Sequence, residues 1–352
     1  MTLTVLSVAY PLAPVGQDAV GGAEQMLSHV DHALVQAGHR SLVVASEISQ
    51  VAGGLIATPA EFGPLDDGVR ERAWARHREA IASAVARFPI DLVHIHGHDF
   101  HGYLPPDGVP TLVTLHVPHF WYPPGALTPA RPRTWLHGVS WSQHRELPPG
   151  PWLLPPIENG VPVAALEVRH AKRPFALMLA RICPEKGIHL AIEAAKQAGI
   201  TLLIAGSVYE YPEHRRYFRE EVEPRLDARR RFLGPVGFRR KRRLLTAAQC
   251  VLVPSLVPET SSLVAREALA CGTPVVAFRC GALPETIEDG VTGFLVDNAE
   301  EMADAIRRAP SLDPKACRRV ARERFSLERM GGQYFDVYRE VVARARTPEM
   351  LA

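Results

Sequence analysis

The chain has 352 residues and a formal net charge of +2, so two domains of ordinary size are expected and the overall charge does not indicate a polyanion-binding protein. A hydrophobic content of 47% with 22% charged residues is typical of a globular chain rather than a disordered one. The apolar runs have only strand length, which argues against a membrane-spanning helix. The N-terminal segment lacks the basic flank and cleavage site of a signal peptide, and the five cysteines show no CxxC spacing, so we expect reduced thiols in the cytoplasm.

The N-terminal half alternates apolar strand-like runs with amphipathic helical patterns, which predicts a parallel sheet covered on both faces. The predicted strands are 3–9, 41–45, 91–96, 111–116 and 136–140. Between the first two strands, Gly21 and Gly22 begin a helix that Gly38 ends, and glycines at a helix start let the backbone approach a ligand. No G-x-G-x-x-G follows the first strand, which argues against a dinucleotide-binding dehydrogenase.

Two proline-rich segments interrupt this pattern. Residues 118–132 contain Phe120, Trp121 and Tyr122 and are expected to form a loop over a site, where these rings either stack on a sugar or pack in the core. Residues 148–162 are expected to link two domains.

From residue 175 the alternation resumes and predicts a second α/β unit. Its strands are predicted at 175–180, 201–205, 250–254, 274–278 and 294–296. The tail after Ser326 has a helical apolar stripe and is expected to pack back on the first domain. The predicted domains are therefore residues 1–162, together with a helix at about 326–346, and residues 163–325.

A carboxylate, Glu259, lies just before a helix predicted at 263–271. The candidates for the N-cap of this helix are Thr260, Ser261 and Ser262. Unpaired N–H groups and the positive end of the helix dipole favour anionic or hydroxyl-rich ligands at such a place. Glu259 is therefore a candidate binding residue, although a loop carboxylate without a function is an equally simple interpretation.

A second carboxylate, Glu267, follows along the same helix. Eight residues of helix rise about 12 Å, whereas the two carboxylates of a glycoside hydrolase lie about 5 to 9.5 Å apart. The spacing therefore favours two contacts to different parts of one long ligand. The alternative is that Glu267 is a solvated helix residue.

Two cations, Arg181 and Lys186, follow a predicted strand directly and precede a helix that begins at Gly187. Fixed cations beside a helix N-terminus can neutralise a diphosphate and support its departure as a leaving group. A pair of surface cations at a turn is the alternative, but the strand-turn-helix context favours the functional interpretation.

Several motifs in order along the chain resemble the family 4 retaining glycosyltransferases. They are GGAE near the start, VHIH, TLH, ENGVP, ARICPEKG, the Glu-x7-Glu spacing from Glu259 to Glu267, EALACGTPVVAF and LPETIEDGVTGFLVD. The resemblance implies the GT-B architecture, an α/β fold in which two Rossmann-like domains with parallel sheets face each other across a cleft. The nucleotide-sugar would be held mostly by the second domain.

The resemblance also implies residue roles. Arg181 and Lys186 would bind the diphosphate, Glu259 the hydroxyls of the donor sugar and Glu267 those of the ribose. The other implied donor-site residues are Gly21, Gly22, Gly206, Ser261, Ser262 and Leu263, and His116 would face the donor sugar as part of a catalytic set with Glu259, Arg181 and Lys186.

The implied reaction is transfer of a hexose, glucose or similar, from a nucleotide-sugar to a saccharide, lipid-linked or small-molecule acceptor, with retention at the anomeric carbon. UDP-glucose is the favoured donor by family frequency, and no metal or further cofactor is expected. The family usually has an E-x-F-G pattern, where this chain has Glu259, Thr260, Ser261 and Ser262. This departure bears on the choice of donor sugar. It also leaves open a non-catalytic sugar-nucleotide-binding protein, and a GT-B-shaped sugar-nucleotide epimerase is a third alternative.

Two further clusters are expected to have plainer roles. The first cluster consists of the histidines His94, His96, His98 and His101. No metal site is predicted there, because no cysteine or carboxylate completes a ligand set. One of these histidines is instead expected to line the acceptor cleft. The basic runs 229–231 and 239–243 are predicted to be solvated faces rather than a nucleic-acid site. Peripheral contact with anionic lipid at the inner membrane face remains an alternative if the acceptor is lipid-linked.

Overall fold

A computed structural model of the chain describes residues 2–19, 21–61, 63, 66–168 and 170–346. Within them the chain forms two compact units. The first runs to Asn159 and resumes at Glu328, and the second is Gly160–Leu327. The predicted boundaries lay at residues 162 and 326, within a few residues of these positions.

Each unit is built on one sheet. The strands are Thr4–Val8 (β1), Arg40–Ser46 (β2), Gly54–Thr58 (β3), Leu92–Ile95 (β4), Thr111–Thr114 (β5), Thr134–His137 (β6), Leu153–Leu154 (β7), Phe175–Leu179 (β8), Thr201–Ala205 (β9), Arg230–Phe232 (β10), Cys250–Val253 (β11), Val275–Phe278 (β12) and Gly293–Val296 (β13). The first sheet has the order β3-β2-β1-β4-β5-β6-β7 and the second β10-β9-β8-β11-β12-β13. Every pair of neighbouring strands is parallel, which confirms the predicted α/β fold with two parallel sheets.

Helices connect the strands. They are Gly22–Gln36 (α1), Asp67–Arg87 (α2), Trp141–Arg145 (α3), Val163–Leu166 (α4), Ile188–Gln197 (α5), Pro212–Tyr217 (α6), Phe238–Ala247 (α7), Leu263–Ala270 (α8), Leu283–Thr286 (α9), Ala299–Arg308 (α10), Pro314–Arg324 (α11) and Leu327–Arg346 (α12). Short 3₁₀ turns at His119–Trp121 and Pro124–Leu127 occupy the first proline-rich segment.

The second sheet is buried on both faces. Successive residues of a strand point to opposite faces of the sheet, so neighbouring residues should belong to different core clusters. Leu177 of β8 belongs to a core cluster with Leu269 of α8, whereas Met178, the next residue, belongs to a cluster with Ile192 of α5. Helices therefore cover both faces, which explains why these strands read as continuous apolar runs rather than as alternating ones.

Helix α12 packs within the first unit. The Tyr338 hydroxyl lies 2.7 Å from His94 Nδ1, and the Tyr334 hydroxyl lies 3.3 Å from Thr114 Oγ1. Both tyrosines are fully buried, so the C-terminal helix completes the core beside β4 and β5. Among the described residues, none of the helices combines the length and apolar character needed to cross a bilayer.

Three strands were not predicted, and all are short or exposed. Strand β3 lies at a sheet edge with most of its residues accessible, and β10 is an edge strand of sequence RRF. Strand β7 has two residues and lies inside the segment 148–162, which therefore is not only a linker. Pattern recognition depends on buried apolar residues, and edge strands have few of them.

The strand orders place a topological switch point in each sheet, where the chain changes direction of winding. In the second sheet this point lies between β8 and β11. Ligands of open parallel α/β sheets bind outside the carboxyl ends of the strands at such a point. The residues after β8 and β11 therefore form the natural candidate site.

Candidate active site

The loops after β8 and β11 are joined through their backbones. The Leu256 amide donates a hydrogen bond of 2.8 Å to the Glu185 carbonyl. Gly187, at the start of α5, has φ of 63°, and a Cβ there would lie 2.2 Å from the Pro254 carbonyl oxygen. Only glycine suits both the left-handed backbone and this close approach. The contact fixes the cation-bearing loop against the loop that contains Glu259.

An ion pair connects these two loops. Lys186 Nζ lies 2.6 Å from Glu259 Oε1, and the two side chains are 23% and 12% exposed. The Ser255 hydroxyl also donates to Glu259. Burial alone would raise the pKa of Glu259, but Lys186, Ser255 and Arg181 outweigh it and hold the pKa below its usual value. Glu259 is therefore a carboxylate at neutral pH, held in one place by its partners.

The backbone of Glu259 is fixed as well. The Ala282 amide donates a hydrogen bond of 2.7 Å to the Glu259 carbonyl. A Cβ on Gly281, whose φ is 56°, would lie 2.4 Å from the Glu259 backbone. Strand β11 lies between β8 and β12 in the sheet. The Glu259 loop, which follows β11, is therefore supported on one side by the Lys186 loop after β8 and on the other by the segment after β12.

Arg181 and Gly206 lie at the ends of neighbouring strands. The Arg181 guanidinium is 5.7 Å from the centre of the Tyr209 ring, a cation–π contact. Gly206 has φ of 150°, and a Cβ there would lie 1.8 Å from the Ala180 carbonyl oxygen. The glycine lets the loop after β9 pass directly over the end of β8.

The start of α8 contains three of the predicted site residues. Ser262 is the N-cap, and its hydroxyl accepts a hydrogen bond of 3.4 Å from the Ala265 amide. Leu263 is the first helical residue, so its amide belongs to the turn that has no intrahelical acceptor. The Ser261 hydroxyl oxygen is buried and has no hydrogen-bond partner among the described residues. The helix start therefore offers the Ser261 hydroxyl and first-turn amides as hydrogen-bond donors in the segment that follows Glu259.

Glu267 lies further along α8 and is only 4% exposed, so it is not the solvated helix residue of the simpler interpretation. Lys241 of α7 pairs with it, with 2.6 Å between Nζ and Oε1. Lys241 lies in the basic run 239–243, which was predicted to be a solvated face; for this residue the prediction was wrong. Phe238, Lys241 and Leu245 share one stripe of α7, and a cation on an otherwise apolar stripe was the signal that sequence reasoning missed.

Gly21 and Gly22 lie in the first unit at the start of α1, where Gly21 is the N-cap. A Cβ on Gly21 would lie 1.8 Å from Glu24 Oε2. The glycine therefore makes room for a carboxylate of its own helix, which folds back over the helix start. Burial raises the pKa of Glu24, although a hydrogen bond from its own amide opposes the shift.

His116 lies in the first unit, beyond the end of β5, and belongs to a network of histidines. Its Nε2 is 3.0 Å from His96 Nδ1, and the two rings stack. His96 in turn lies 3.2 Å from His94, and burial lowers the pKa of both far below the usual value. Burial and the neighbouring His137 also lower the pKa of His116. These rings are neutral hydrogen-bonding groups at neutral pH.

The second unit thus brings most of the predicted residues to the ends of three adjacent strands, β9, β8 and β11. They are Arg181, Lys186, Gly206, Glu259, Ser261, Ser262 and Leu263, and Glu267 lies further along α8. Gly21, Gly22 and His116 lie in the first unit. Within the second unit the arrangement offers fixed cations, helix-start amides and two paired carboxylates, which suits a ligand with both phosphate and hydroxyl groups.

Comparison with known proteins gives the family of the chain. The sequence model of the family described as "Glycosyl transferases group 1" matches residues 173–310, and that of "Glycosyltransferase Family 4" matches residues 20–145. The chain belongs to the family 4, group 1 glycosyltransferases. This confirms the resemblance found in the sequence motifs.

Curated proteins similar to this chain include D-inositol 3-phosphate glycosyltransferases. The protein of that name from Saccharomonospora viridis is 44% identical over 133 residues, which are 36% of this chain and 30% of the relative. The one from Mycolicibacterium smegmatis is 37% identical over 150 residues, 41% of this chain and 34% of the relative. The chain thus matches about a third of the length of these relatives.

Solved structures show the fold over almost the whole chain. Sucrose-phosphate synthase from Thermosynechococcus elongatus aligns with a TM-score of 0.77 and 22% identity over 97% of this chain and 100% of that one. AviGT4, a glycosyltransferase involved in avilamycin A biosynthesis, aligns with a TM-score of 0.75 and 23% identity over 97% and 98%. HepE from Anabaena, solved with UDP-glucose, aligns with a TM-score of 0.73 and 19% identity over 96% and 100%. The family 4 chain therefore has the GT-B fold.

Proposed function

We propose that this protein transfers a hexose, glucose or a close relative, from a UDP-sugar to a saccharide or other hydroxyl acceptor with retention at the anomeric carbon. The observation that carries the proposal is the ion pair between Lys186 and Glu259 across the switch point of the second sheet, with Arg181 beside it. A cation and a carboxylate that touch in this way can contact adjacent parts of one donor, the diphosphate and the sugar hydroxyls. HepE, which shares the fold, binds UDP-glucose, and this supports the choice of base.

The proposed roles follow from charge and position. Arg181 and Lys186 hold the diphosphate and stabilise the charge that develops as it leaves. The helix-start amides near Ser262 and Leu263 add donors for phosphate or sugar oxygens, and the buried Ser261 hydroxyl gains a partner. Glu267, held by Lys241, takes the ribose hydroxyls. Gly206 lets the loop after β9 lie close to the end of β8, and this leaves room for the donor above β8.

The remaining roles belong to the first unit. We assign Gly21 and Gly22 a role in binding the donor phosphate or the acceptor, and His116 a role in binding the donor sugar as a neutral imidazole. Since no enzyme nucleophile is proposed, retention requires the acceptor to attack from the face that the diphosphate leaves, and the proposed step uses neither a metal ion nor a cofactor. The acceptor is a saccharide, a lipid-linked sugar or a small molecule, and nucleic acid is not a partner. All five cysteines are free thiols, which supports a cytoplasmic location.

The central test is turnover of a UDP-sugar. UDP release from UDP-glucose is measured alone and with a panel of sugar acceptors, and the anomeric configuration of any product is determined by proton NMR. Lys186→Met and Glu259→Gln are expected to lower kcat/KM at least about 100-fold, as loss of one transition-state contact does elsewhere. Lys196→Met, which removes an exposed lysine on α5, is the matched control and should keep the wild-type rate.

Two outcomes would contradict the proposal. If Lys186→Met and Glu259→Gln fold and keep the wild-type rate, the assigned roles are wrong. If calorimetry shows that UDP binds but no acceptor gives turnover, the protein is a non-catalytic sugar-nucleotide-binding protein. The departure of residues Thr260–Ser262 from the family pattern motivates that alternative. A sugar product inverted at C2 would instead identify an epimerase. Thermal-shift screening with UDP, GDP, ADP and TDP determines the base, since a ligand stabilises the native state that binds it.

A further inference from the structure

Three side chains with metal-ligating atoms meet where the loop after β8 faces helix α6. Cys183 and Glu185 come from the loop, and His214 comes from the helix. One ligand atom from each, a sulfur, a carboxylate oxygen and a ring nitrogen, lies within 4.8 Å of the other two. Cys183 and His214 are far apart in sequence, so no local spacing indicated the cluster.

Two buried polar atoms on side chains of this cluster are without a hydrogen-bond partner among the described residues. Among the described residues, neither His214 Nδ1 nor Glu185 Oε2 has a hydrogen-bond partner, although both atoms are inaccessible to solvent. His214 is 8% exposed and Cys183 is 1% exposed. An unsatisfied buried polar atom destabilises the folded state and is rare in native proteins. Both atoms belong to side chains of one cluster with a thiol, and an imidazole, a carboxylate and a thiol can bind the same ion.

We propose that Cys183, Glu185 and His214 form a binding site for a divalent cation of the zinc class. Sulfur, imidazole nitrogen and carboxylate oxygen are the three ligand types that zinc takes in proteins, whereas calcium and magnesium require oxygen ligands alone. Zinc–ligand distances of about 2.0 to 2.3 Å place tetrahedral ligands about 3.3 to 3.8 Å apart. The three ligand atoms lie within 4.8 Å of one another, about 1 Å more than these distances at most. Three protein ligands leave the fourth position open.

The charges support a divalent ion at this place. Binding releases one proton from the Cys183 thiol, and the thiolate and the Glu185 carboxylate then balance the two positive charges of the ion. The metal-loaded site therefore has no net charge. This matters because the neighbouring cations Arg181 and Lys186 would repel a site with a net positive charge. The Cys183 thiol hydrogen-bonds the Glu185 carboxylate and lies 3.7 Å from the Arg181 carbonyl oxygen, so an ion that binds the thiolate would replace both of these contacts.

The site would connect the loop that carries Lys186 to α6. An ion there would restrict the motion of this loop and stabilise the second unit, because a ligand that binds only the folded state adds to its stability. The binding itself does not depend on sugar transfer. A failure of the proposed transferase activity therefore leaves this inference standing, and the reverse also holds.

Titration of the metal-stripped full-length protein with Co²⁺ tests the site. Wild type is expected to bind one Co²⁺ with a near-ultraviolet thiolate-to-cobalt charge-transfer band, to lose the band when Zn²⁺ is added, and to melt at a higher temperature with Zn²⁺. Cys183→Ser should lose the band, and His214→Ala should bind at least about 100-fold more weakly, since even supporting residues of metal sites contribute 10- to 100-fold. Cys280→Ser and His170→Ala change a thiol and a histidine outside the cluster and should bind as wild type does.

Absence of the charge-transfer band in wild type would overturn the proposal, and this result needs no variant to fold. Retention of full Co²⁺ affinity in both folded Cys183→Ser and His214→Ala would also overturn it. In that case the three side chains form only a hydrogen-bonded cluster.

Discussion

The pair between Lys241 and Glu267 allows a quantitative test of the site. With 2.6 Å between Nζ and Oε1, the attraction is about 6 kcal/mol at an effective dielectric constant of about 20. Much of this is offset by the cost of removing both charges from water. Removing one partner of a fully buried pair costs about 3 to 5 kcal/mol, because the other charge is left unpaired. The Lys241 side chain is 20% exposed and that of Glu267 6%, so the pair is not fully buried and we expect a smaller cost, about 2 to 3 kcal/mol, for Lys241→Met.

The assay is urea unfolding of the full chain, followed by tryptophan fluorescence. Arg240→Met is the control, because Arg240 is an exposed neighbour on the same helix, and it should change stability by less than about 0.5 kcal/mol. A double-mutant cycle with Glu267→Gln measures the pair itself, and its coupling energy should exceed about 1 kcal/mol. A coupling energy below about 0.5 kcal/mol would show that Lys241 does not hold Glu267 and would refute the reasoning. In the donor-bound enzyme, Lys241→Met should raise KM more than it lowers kcat, because a misplaced Glu267 loses ground-state contacts to the ribose.

Two further predictions concern stability. Gly206→Ala should destabilise the protein by at least about 2 kcal/mol, since its Cβ would lie 1.8 Å from the Ala180 carbonyl oxygen at a φ of 150°. The control is Gly199→Ala, at a φ of 68° with open space around it, which should cost only about 1 kcal/mol. Equal melting temperatures for the two variants would contradict this. Acid should destabilise the first unit, because burial lowers the pKa of His77 and of His137 to about 4, whereas both have a pKa of 6.5 when unfolded. The unfolded chain therefore binds more protons as the pH falls from 6.5 towards 4, so stability present above pH 6.5 is lost over this window, by about 2 kcal/mol per histidine at pH 5. His77→Phe should reduce the difference in unfolding free energy between pH 7 and pH 5 by that amount, and an unchanged difference would show that His77 titrates normally.

Much of the fold was predictable because buried parallel strands are short continuous apolar runs. The predicted strands 111–116 and 201–205, for example, correspond to β5 and β9. The edge strands β3, β7 and β10 were missed because their residues are exposed or too few to form a pattern. Of the candidate site, the residue types and their positions after strands were predictable. The partner of Glu267 was not, because Lys241 lies in a basic run that in most proteins faces solvent.

The sequence by itself determined which residues carry charge at the strand ends, where α8 begins, and the family to which the chain belongs. The tertiary structure decided which of these residues touch. Lys186 and Glu259 are 73 positions apart and meet because β8 and β11 are neighbours in the sheet. Cys183 and His214 approach each other because the loop after β8 faces α6. Local periodicity records which side of an element is buried, but strand order is set by long-range packing of the whole sheet, so these contacts exist only once the sheet has formed.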